Sequence, residues 1–270
     1  MLFLLSLGCT PPVEAPAELD ELSAYLYANF NGNGEDGLAA LPAGLASLEA
    51  QLATQDLTAD DVDDRAFSLT PLTEDQLDGA IYDGAVDLGL QLPVAVSGLN
   101  DLTLEQEIGL IEEPNQVCIA SDTTVWSAVT VSSGDDCWKD DETCVLETTN
   151  EFLIDSLSDG WLDVVSHYRM VTLDDGRQAV IQRGWMPTQT LSHDSDNTWD
   201  TRFTMQVWIP TEDGSQVQRY YAFYSSVTGV PDDLYTTLVV NGLDEYYGNS
   251  VAFVNGEDCD NDRDREYDRE

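Results

Sequence analysis

The sequence predicts an α+β fold in which a small helical hairpin precedes an antiparallel sheet and one long helix follows it. Three observations predict this fold. Apolar residues recur at helical spacing before residue 55, alternate with polar residues between Trp161 and Val227, and return to helical spacing after Pro231. A period near 3.6 residues indicates a helix and a period of two indicates a strand. The strand-rich stretch Trp161 to Val227 therefore forms the predicted centre of the chain.

The helical hairpin is predicted over residues 18–55, because two sets of apolar residues there keep helical spacing. Pro42 suits the first turn of the second helix. The intervening residues 31–37 are rich in oxygen ligands, but Asp36 stands where a calcium loop needs glycine and Pro42 where it needs glutamate. We therefore predict a turn between helices and no metal site.

Residues 56–90 are acidic and weakly periodic, and we predict a linker or loosely packed cover with a short helix near Glu74. The sheet domain is predicted over residues 91–256. It begins with a short strand at 92–96 and a helix from Thr103, which has the capping box Thr-Leu-Glu-Gln. Further strand candidates are 116–120, 124–131 and 143–149.

Four long strands follow. Between Trp199 and Ile209 one parity is apolar and the other mostly polar, which predicts a strand with one covered face. A two-residue turn at Asp175-Gly176 would place Tyr168 opposite Arg183 on the inward face. His167 and Arg169 would then lie on the other, exposed face.

A second hairpin turns at residues 211–214, where two registers are plausible. The register that keeps apolar faces together places Phe203 beside Phe223 and Ile209 beside Val217. It turns Arg219 and Tyr221 inward. The closing helix begins at Pro231 and is predicted to stop at Gly248, before a charged tail at 257–270.

Charge restricts the function. The net charge is -42, so binding to nucleic acid or electrostatic adhesion to an anionic bilayer is not expected. Residues 1–138 hold 25 acids and one base, whereas Trp161 to Val227 holds eight acids and five arginines. The front of the chain is therefore predicted to be solvated acidic surface and the strand-rich stretch to be core.

The N-terminus is an apolar run ending in Gly8-Cys9, followed by a proline-rich acidic spacer. It resembles a bacterial lipoprotein signal, and residues 1–17 are then a signal and tether. The resemblance implies lipidation of Cys9 and a membrane-anchored protein of the bacterial cell envelope. The alternative is an ordinary cleaved signal in which Cys9 is discarded.

Four further cysteines, an even number, suit an oxidising compartment. Cys137 and Cys144 bracket a short polar loop and form the preferred disulfide. Cys118 and Cys259 remain as the second pair by elimination. No CxxC spacing is present, so no metal site is predicted.

The predicted order of strand, helix, strand meander and closing helix resembles the helix-grip fold of the START-like superfamily, across residues 91–249. The chain differs in having one helix after the first strand and seven later strand candidates. The resemblance implies a curved sheet and a cavity between sheet and helix. Tyr168, Arg183, Arg219 and Tyr221 would be its ligand-binding residues. For the arginines, a structural ion pair is the alternative.

Catalysis is not expected. Ser192-His193-Asp194 has triad residue types, but adjacent residues cannot adopt triad geometry, and Ser166-His167 offers no better pair. We predict no catalytic residues and no cofactor. The first hypothesis is a lipid-anchored envelope protein that binds a small apolar or anionic ligand. The alternative is a structural or protein-interaction lipoprotein with a filled core. A cavity of roughly 300 Å³ or more would favour the first.

Overall fold

The structure is a computed structural model, and it describes residues 14–32, 35–59, 61–77, 79–80, 82, 87–120, 124–155, 160–191 and 196–257. The helices within these ranges are α1 (Leu19–Ala28), α2 (Glu35–Leu52), α3 (Leu104–Ile111) and α4 (Asp232–Val254). The strands are β1 (Ala66–Ser68), β2 (Val94–Asn100), β3 (Thr124–Ser133), β4 (Leu146–Ile154), β5 (Gly160–Thr172), β6 (Gln178–Trp185), β7 (Thr190–Leu191), β8 (Thr198–Pro210) and β9 (Val217–Thr228).

All described strands join one antiparallel sheet with the order β1-β2-β9-β8-β6-β5-β4-β3, and β7 pairs with β8. The sheet, the closing helix and the N-terminal helical pair confirm the predicted fold class. The single helix α3 after β2 was also predicted correctly. The strand predicted at 116–120 is wrong, since the amides of Ile119 and Ala120 both bond back to the carbonyl of Gln116 in a turn.

Both faces of the sheet are covered. The helices α1 and α2 pack on one face, where Leu22, Leu26 and Leu45 join a core with Phe203 and Ile181. We call this the hairpin face. The helix α4 packs on the opposite face, which we call the cavity face.

The helix α4 covers the second face of the sheet, so the prediction that β8 has only one buried face is wrong. The polar parity of β8 is not solvent-exposed, because Thr204 and Gln206 lie beneath α4 and are only 1% and 9% exposed. Alternation of polarity marks two different faces, but it does not say that the polar face meets bulk water.

Two helix ends differ from the prediction. The helix α2 begins at Glu35, so Pro42 lies inside it rather than in its first turn. The helix α4 continues through Gly248 to Val254. Val251 and Phe253 of its last turns pack against a core that contains Leu102 and Ile119, and this tertiary contact outweighs the helix-ending tendency of glycine.

The acidic stretch 56–90 packs against the hairpin-face core. It contains three short 3₁₀ helices (Val62–Arg65, Glu74–Gln76 and Leu88–Leu90) and the edge strand β1. Its leucines Leu69, Leu72, Leu77 and Leu88 are buried in that core. The predicted short helix at Glu74 is therefore present, and the stretch acts as a cover.

The hairpin between β5 and β6 corrects the predicted face of Arg183. The amide of Leu173 donates to the carbonyl of Arg177 at 2.8 Å, and Gly176 has a φ of 89°. The loop is thus three residues long and ends on a left-handed glycine. One extra residue shifts the register by one, which moves every side chain of a strand to the other face. Tyr168 pairs with Gln182, and Arg183 pairs with His167.

The hairpin between β8 and β9 also differs by one residue from the predicted register. Phe203 pairs with Tyr224, and Ile209 pairs with Gln218. The loop closes where the amide of Thr211 donates to the carbonyl of Gln216 at 2.9 Å. Phe203 therefore faces the helical hairpin, while Tyr221 lies opposite Gln206 on the cavity face.

The predicted disulfide Cys137–Cys144 is confirmed, with a Cα–Cα distance of 5.9 Å. Cys9 and Cys259 lie outside the described residues, as do most of the N-terminal signal and of the charged tail, so lipidation and the Cys118–Cys259 pair stay predictions. Within the described ranges, no helix combines the length and hydropathy needed to cross a bilayer.

Candidate functional site

A cavity of about 290 Å³ lies between the sheet and α4. Its volume is close to the roughly 300 Å³ that marks the lower end of small-molecule sites. Strands β4, β5, β6, β8 and β9 supply its floor, and α4 supplies its roof. The roof and side residues are mainly aromatic or aliphatic: Phe152, Ile154, Trp199, Phe223, Tyr235, Leu238, Val239, Leu243 and Tyr246.

The floor is polar and centred on Gln182. Its Nε2 donates to Ser166 Oγ at 3.3 Å and to Thr204 Oγ1 at 3.2 Å, so one amide links three adjacent strands. Its Oε1 is buried and has no hydrogen-bond partner among the described residues. Gly184 makes room for this arrangement, because a Cβ there would lie 2.5 Å from Gln182 Nε2. The cavity floor therefore contains a buried acceptor without a partner among the described residues.

Of the four predicted ligand-binding residues, Tyr168 and Tyr221 line the cavity. Tyr168 is 5% exposed, and burial raises the pKa of its phenol. The hydroxyl thus stays protonated and can donate a hydrogen bond. The Tyr221 ring packs edge-on against Tyr246 of α4, with centroids 6.2 Å apart.

Arg219 shares the cavity face but does not line the cavity. Its guanidinium is buried beneath the C-terminal half of α4, 4.5 Å from the ring centroids of both Tyr246 and Tyr247. Its Nη1 lies 3.8 Å from Glu107 Oε2 and donates to Ser250 Oγ at 3.2 Å. These contacts match the structural ion pair that was the alternative to ligand binding.

Arg183 does not face the cavity, so its predicted role there is wrong. Its guanidinium lies under the helical hairpin, 5.2 Å from the ring centroid of Phe30, 5.4 Å from Trp185 and 6.0 Å from Tyr27. The three-residue loop between β5 and β6 put it there. Arg183 helps to bind α1 to the sheet through cation–π contacts.

His167 lies on the face opposite Tyr168, as predicted, but it is not an exposed residue. Its ring packs 4.9 Å from that of Trp185, and its Nε2 lies 3.2 Å from Glu147 Oε2. Burial and the nearby Arg183 guanidinium hold the pKa of His167 below its usual 6.5, against the opposing effect of Glu147. Protonation of His167 is therefore disfavoured in the folded chain.

We expect stability to fall as the pH drops below about 6.5. Under those conditions the unfolded chain binds a proton at His167 that the folded chain resists, so protonation favours unfolding. Urea unfolding across a pH series measures this effect. A His167→Gln variant should lose less stability than the wild type between about pH 7 and pH 5. Parallel profiles for the two proteins would contradict the assignment.

Arg202 lines the cavity and was not predicted to do so. Its guanidinium carbon lies 5.0 Å from the ring centroid of Phe223 and 5.7 Å from that of Phe152. The sequence does carry a signal for it. Thr204 and Gln206, the next two residues of the parity that contains Arg202, are uncharged where an outward face of so acidic a chain would carry carboxylates. That composition fits an enclosed polar face.

The cavity-lining residues identified in the described ranges include no histidine or cysteine. Ser166 faces the cavity while His167 faces the helical hairpin, so these neighbours cannot act together. Ser192, His193 and Asp194 lie outside the described residues. The described ranges also contain no cluster of three or more His, Cys, Asp or Glu residues arranged to hold a metal ion.

No family model and no curated protein matches the sequence. Among solved structures, human StAR-related lipid transfer protein 5 is similar at 10% identity and a TM-score of 0.43, covering 82% of this chain and 98% of that one. A STAR-related lipid transfer protein fragment from Xanthomonas axonopodis is 13% identical, with a TM-score of 0.41 and coverages of 58% and 85%. A START superfamily protein from Mycobacterium smegmatis is 7% identical, with a TM-score of 0.40 and coverages of 61% and 97%. The functional argument below depends on the geometry of this chain.

Proposed function

We propose that this chain is a binding protein that encloses a small, mostly apolar ligand between its sheet and α4. The observation that carries the proposal is the cavity itself, about 290 Å³ with an aromatic and aliphatic roof and a polar floor. Such a combination is typical of small-molecule sites, in which apolar surface supplies affinity and a few polar groups fix orientation. The alternative of a structural protein with a filled core does not account for this space.

The way the cavity is held open supports the same proposal. Gln182 makes its two described hydrogen bonds to groups on neighbouring strands, and Tyr235 on α4 bonds through its hydroxyl to Ser225 of β9. These contacts fix the floor and one end of the roof before any ligand arrives. A site prepared in this way loses less conformational entropy on binding than one that must first be ordered.

The proposed place of action is the bacterial cell envelope, with the protein anchored to the membrane through a lipid on Cys9. The sequence features that support it are the apolar run ending in Gly8-Cys9 and the proline-rich acidic spacer after it. The Cys137–Cys144 disulfide suits an oxidising compartment. No catalytic step is proposed, and the protein would bind, carry or present its ligand.

Native mass spectrometry of the full-length protein from its own envelope tests both parts. We expect an added mass that remains after denaturation and maps to Cys9, and a second added mass that is lost on denaturation. The first is the lipid anchor and the second is the bound ligand. An unmodified Cys9 would overturn the anchor, and a ligand-free native mass would count against the binding role.

A variant that fills the cavity tests whether the mass lost on denaturation belongs to a ligand bound in that cavity. Val239 lines the cavity from α4, so Val239→Trp should abolish the mass that is lost on denaturation. Thr237→Trp is the matched control, since residue 237 lies on the exposed side of the same helix. Equal ligand occupancy in both variants would show that the ligand binds elsewhere.

A further inference from the structure

Arg202 differs from Arg65, Arg177 and Arg219, each of which lies close to a carboxylate. Arg65 lies 2.5 Å from Asp244, Arg177 lies 2.8 Å from Glu49, and Arg219 lies 3.8 Å from Glu107. Within the described ranges, no carboxylate lies within 4.0 Å of the Arg202 guanidinium. This happens in a chain with 52 acidic residues, where an acid partner is easy to supply.

The surroundings of Arg202 leave its charge directed to the cavity. The rings of Phe152 and Phe223 lie within cation–π distance of the guanidinium and cover it with apolar surface. Its Nε is buried and has no hydrogen-bond partner among the described residues. A guanidinium has five N–H donors that lie in one plane. The faces of aromatic rings do not provide conventional hydrogen-bond acceptors for these donors. An oxyanion in the cavity would match this planar set of donors.

A second group in the cavity needs a partner of the opposite kind. Gln182 is 2% exposed, and its Oε1 accepts no hydrogen bond from the described residues. Thr204 binds the amide of Gln182 and lies two residues from Arg202 on the same face of β8. The floor therefore offers an anion-binding donor and, next along the sheet, an acceptor for an O–H or N–H group.

We infer that the ligand is an amphiphilic oxyanion, a carboxylate or a phosphate monoester, whose charged head binds Arg202 and whose apolar body lies beneath α4. The inference rests on the proposed function, because it names the class of ligand for the same cavity. A hydroxyl or amide beside the head group would satisfy Gln182 Oε1. Arg202 is then the residue that determines specificity.

The negative charge of the rest of the chain means that only a local contact can favour an anionic ligand. A net charge of -42 repels anions at long range, and no general attraction would bring an anionic ligand to this protein. Preference for an anion over a neutral amphiphile of equal length must come from a local contact. The charged residues among the described cavity-lining residues are Arg202 and Glu245, and Arg202 is the one that can attract an anion.

Calorimetric titration with matched probes tests this inference on the full-length protein. The probes are decanoate, decyl phosphate, decanol and decylamine, which share one apolar chain and differ in the head group. We expect decanoate or decyl phosphate to bind at least about tenfold more tightly than decanol, a difference of about 1.4 kcal/mol. The comparison of the two anions identifies which oxyanion the site prefers.

Three variants separate charge, shape and folding. Arg202→Gln should remove the preference for the anion and leave decanol affinity within about twofold. Arg202→Lys keeps the charge but not the planar set of donors, so it should retain part of the preference. Lys139→Gln removes the same charge at an exposed residue outside the cavity and should leave all affinities unchanged.

Each outcome decides between the two proposals. If decanol binds but the anions bind no better, or if Arg202→Gln keeps their advantage, the oxyanion assignment is wrong and the binding role stands. If Arg202→Gln weakens decanol and decanoate equally, Arg202 has a structural role and the assignment is again wrong. If none of the probes binds the wild type or Arg202→Lys, while both are folded by circular dichroism, both proposals are overturned.

Discussion

Replacing Trp138 with alanine is expected to lower the free energy of unfolding by about 3–5 kcal/mol, because it removes a large side chain from a packed site. Trp138 is 0% exposed although it lies in the loop that Cys137 and Cys144 close. Its ring centroid lies 6.4 Å from that of Tyr168, which lines the cavity. The truncation therefore also removes support from one wall of the proposed binding site.

Trp138→Phe is the control, since it keeps most of the ring volume and loses the hydrogen bond from Nε1 to Glu112 Oε1, which is 3.3 Å long. We expect that variant to lose only about 1 kcal/mol from the missing bond. Urea unfolding under non-reducing conditions keeps the disulfide intact in every sample. A Trp138→Ala variant as stable as Trp138→Phe would show that the loop does not depend on this side chain.

Glu107→Gln is expected to cost about 3 kcal/mol, the lower end of the range for removing one partner of a buried ion pair. The substitution leaves the buried guanidinium of Arg219 without its carboxylate, while the rings of Tyr246 and Tyr247 still contact it. Asn100 keeps an acceptor, because the amide oxygen of glutamine can replace the carboxylate oxygen that it now bonds at 3.0 Å. The measured loss therefore reports the charge rather than the shape.

Glu105→Gln makes the same change on the exposed side of α3 and should alter stability by less than about 0.5 kcal/mol. Adding Arg219→Met to Glu107→Gln should restore part of the loss, since no buried charge then remains unpaired. Chemical unfolding of the four proteins completes the comparison. Equal losses for Glu107→Gln and Glu105→Gln would exclude a stabilising ion pair beneath α4.

Local patterns predicted the elements of this fold well. The capping box at Thr103 and Gln106 is present, with the amide of Thr103 donating to Gln106 Oε1 at 2.8 Å. The start of α4 after Pro231 and the Cys137–Cys144 disulfide were also predicted correctly. These features depend on residues close in sequence, so their geometry can be inferred without knowing the rest of the structure.

The candidate site was predicted only in part, because it depends on register. Tyr168 and Tyr221 line the cavity. The β5–β6 loop, which ends on a glycine at positive φ, is one residue longer than predicted, so Arg183 lies on the hairpin face. Arg202 was not predicted as a site residue, because it belongs to the polar parity of a strand for which only one covered face was expected. Only the packing of α4 shows that this polar face is enclosed.

The sequence by itself determined the order of the four α-helices and the long strands, the acidic character of the chain and the near-neutral centre between Trp161 and Val227. These properties follow from periodicity and composition, which are local or additive. The tertiary structure decided which arginine enters the cavity, which becomes a structural ion pair and which lies under the helical hairpin. A one-residue change in loop length reverses the face of a whole strand, so these assignments depend on how distant segments pack.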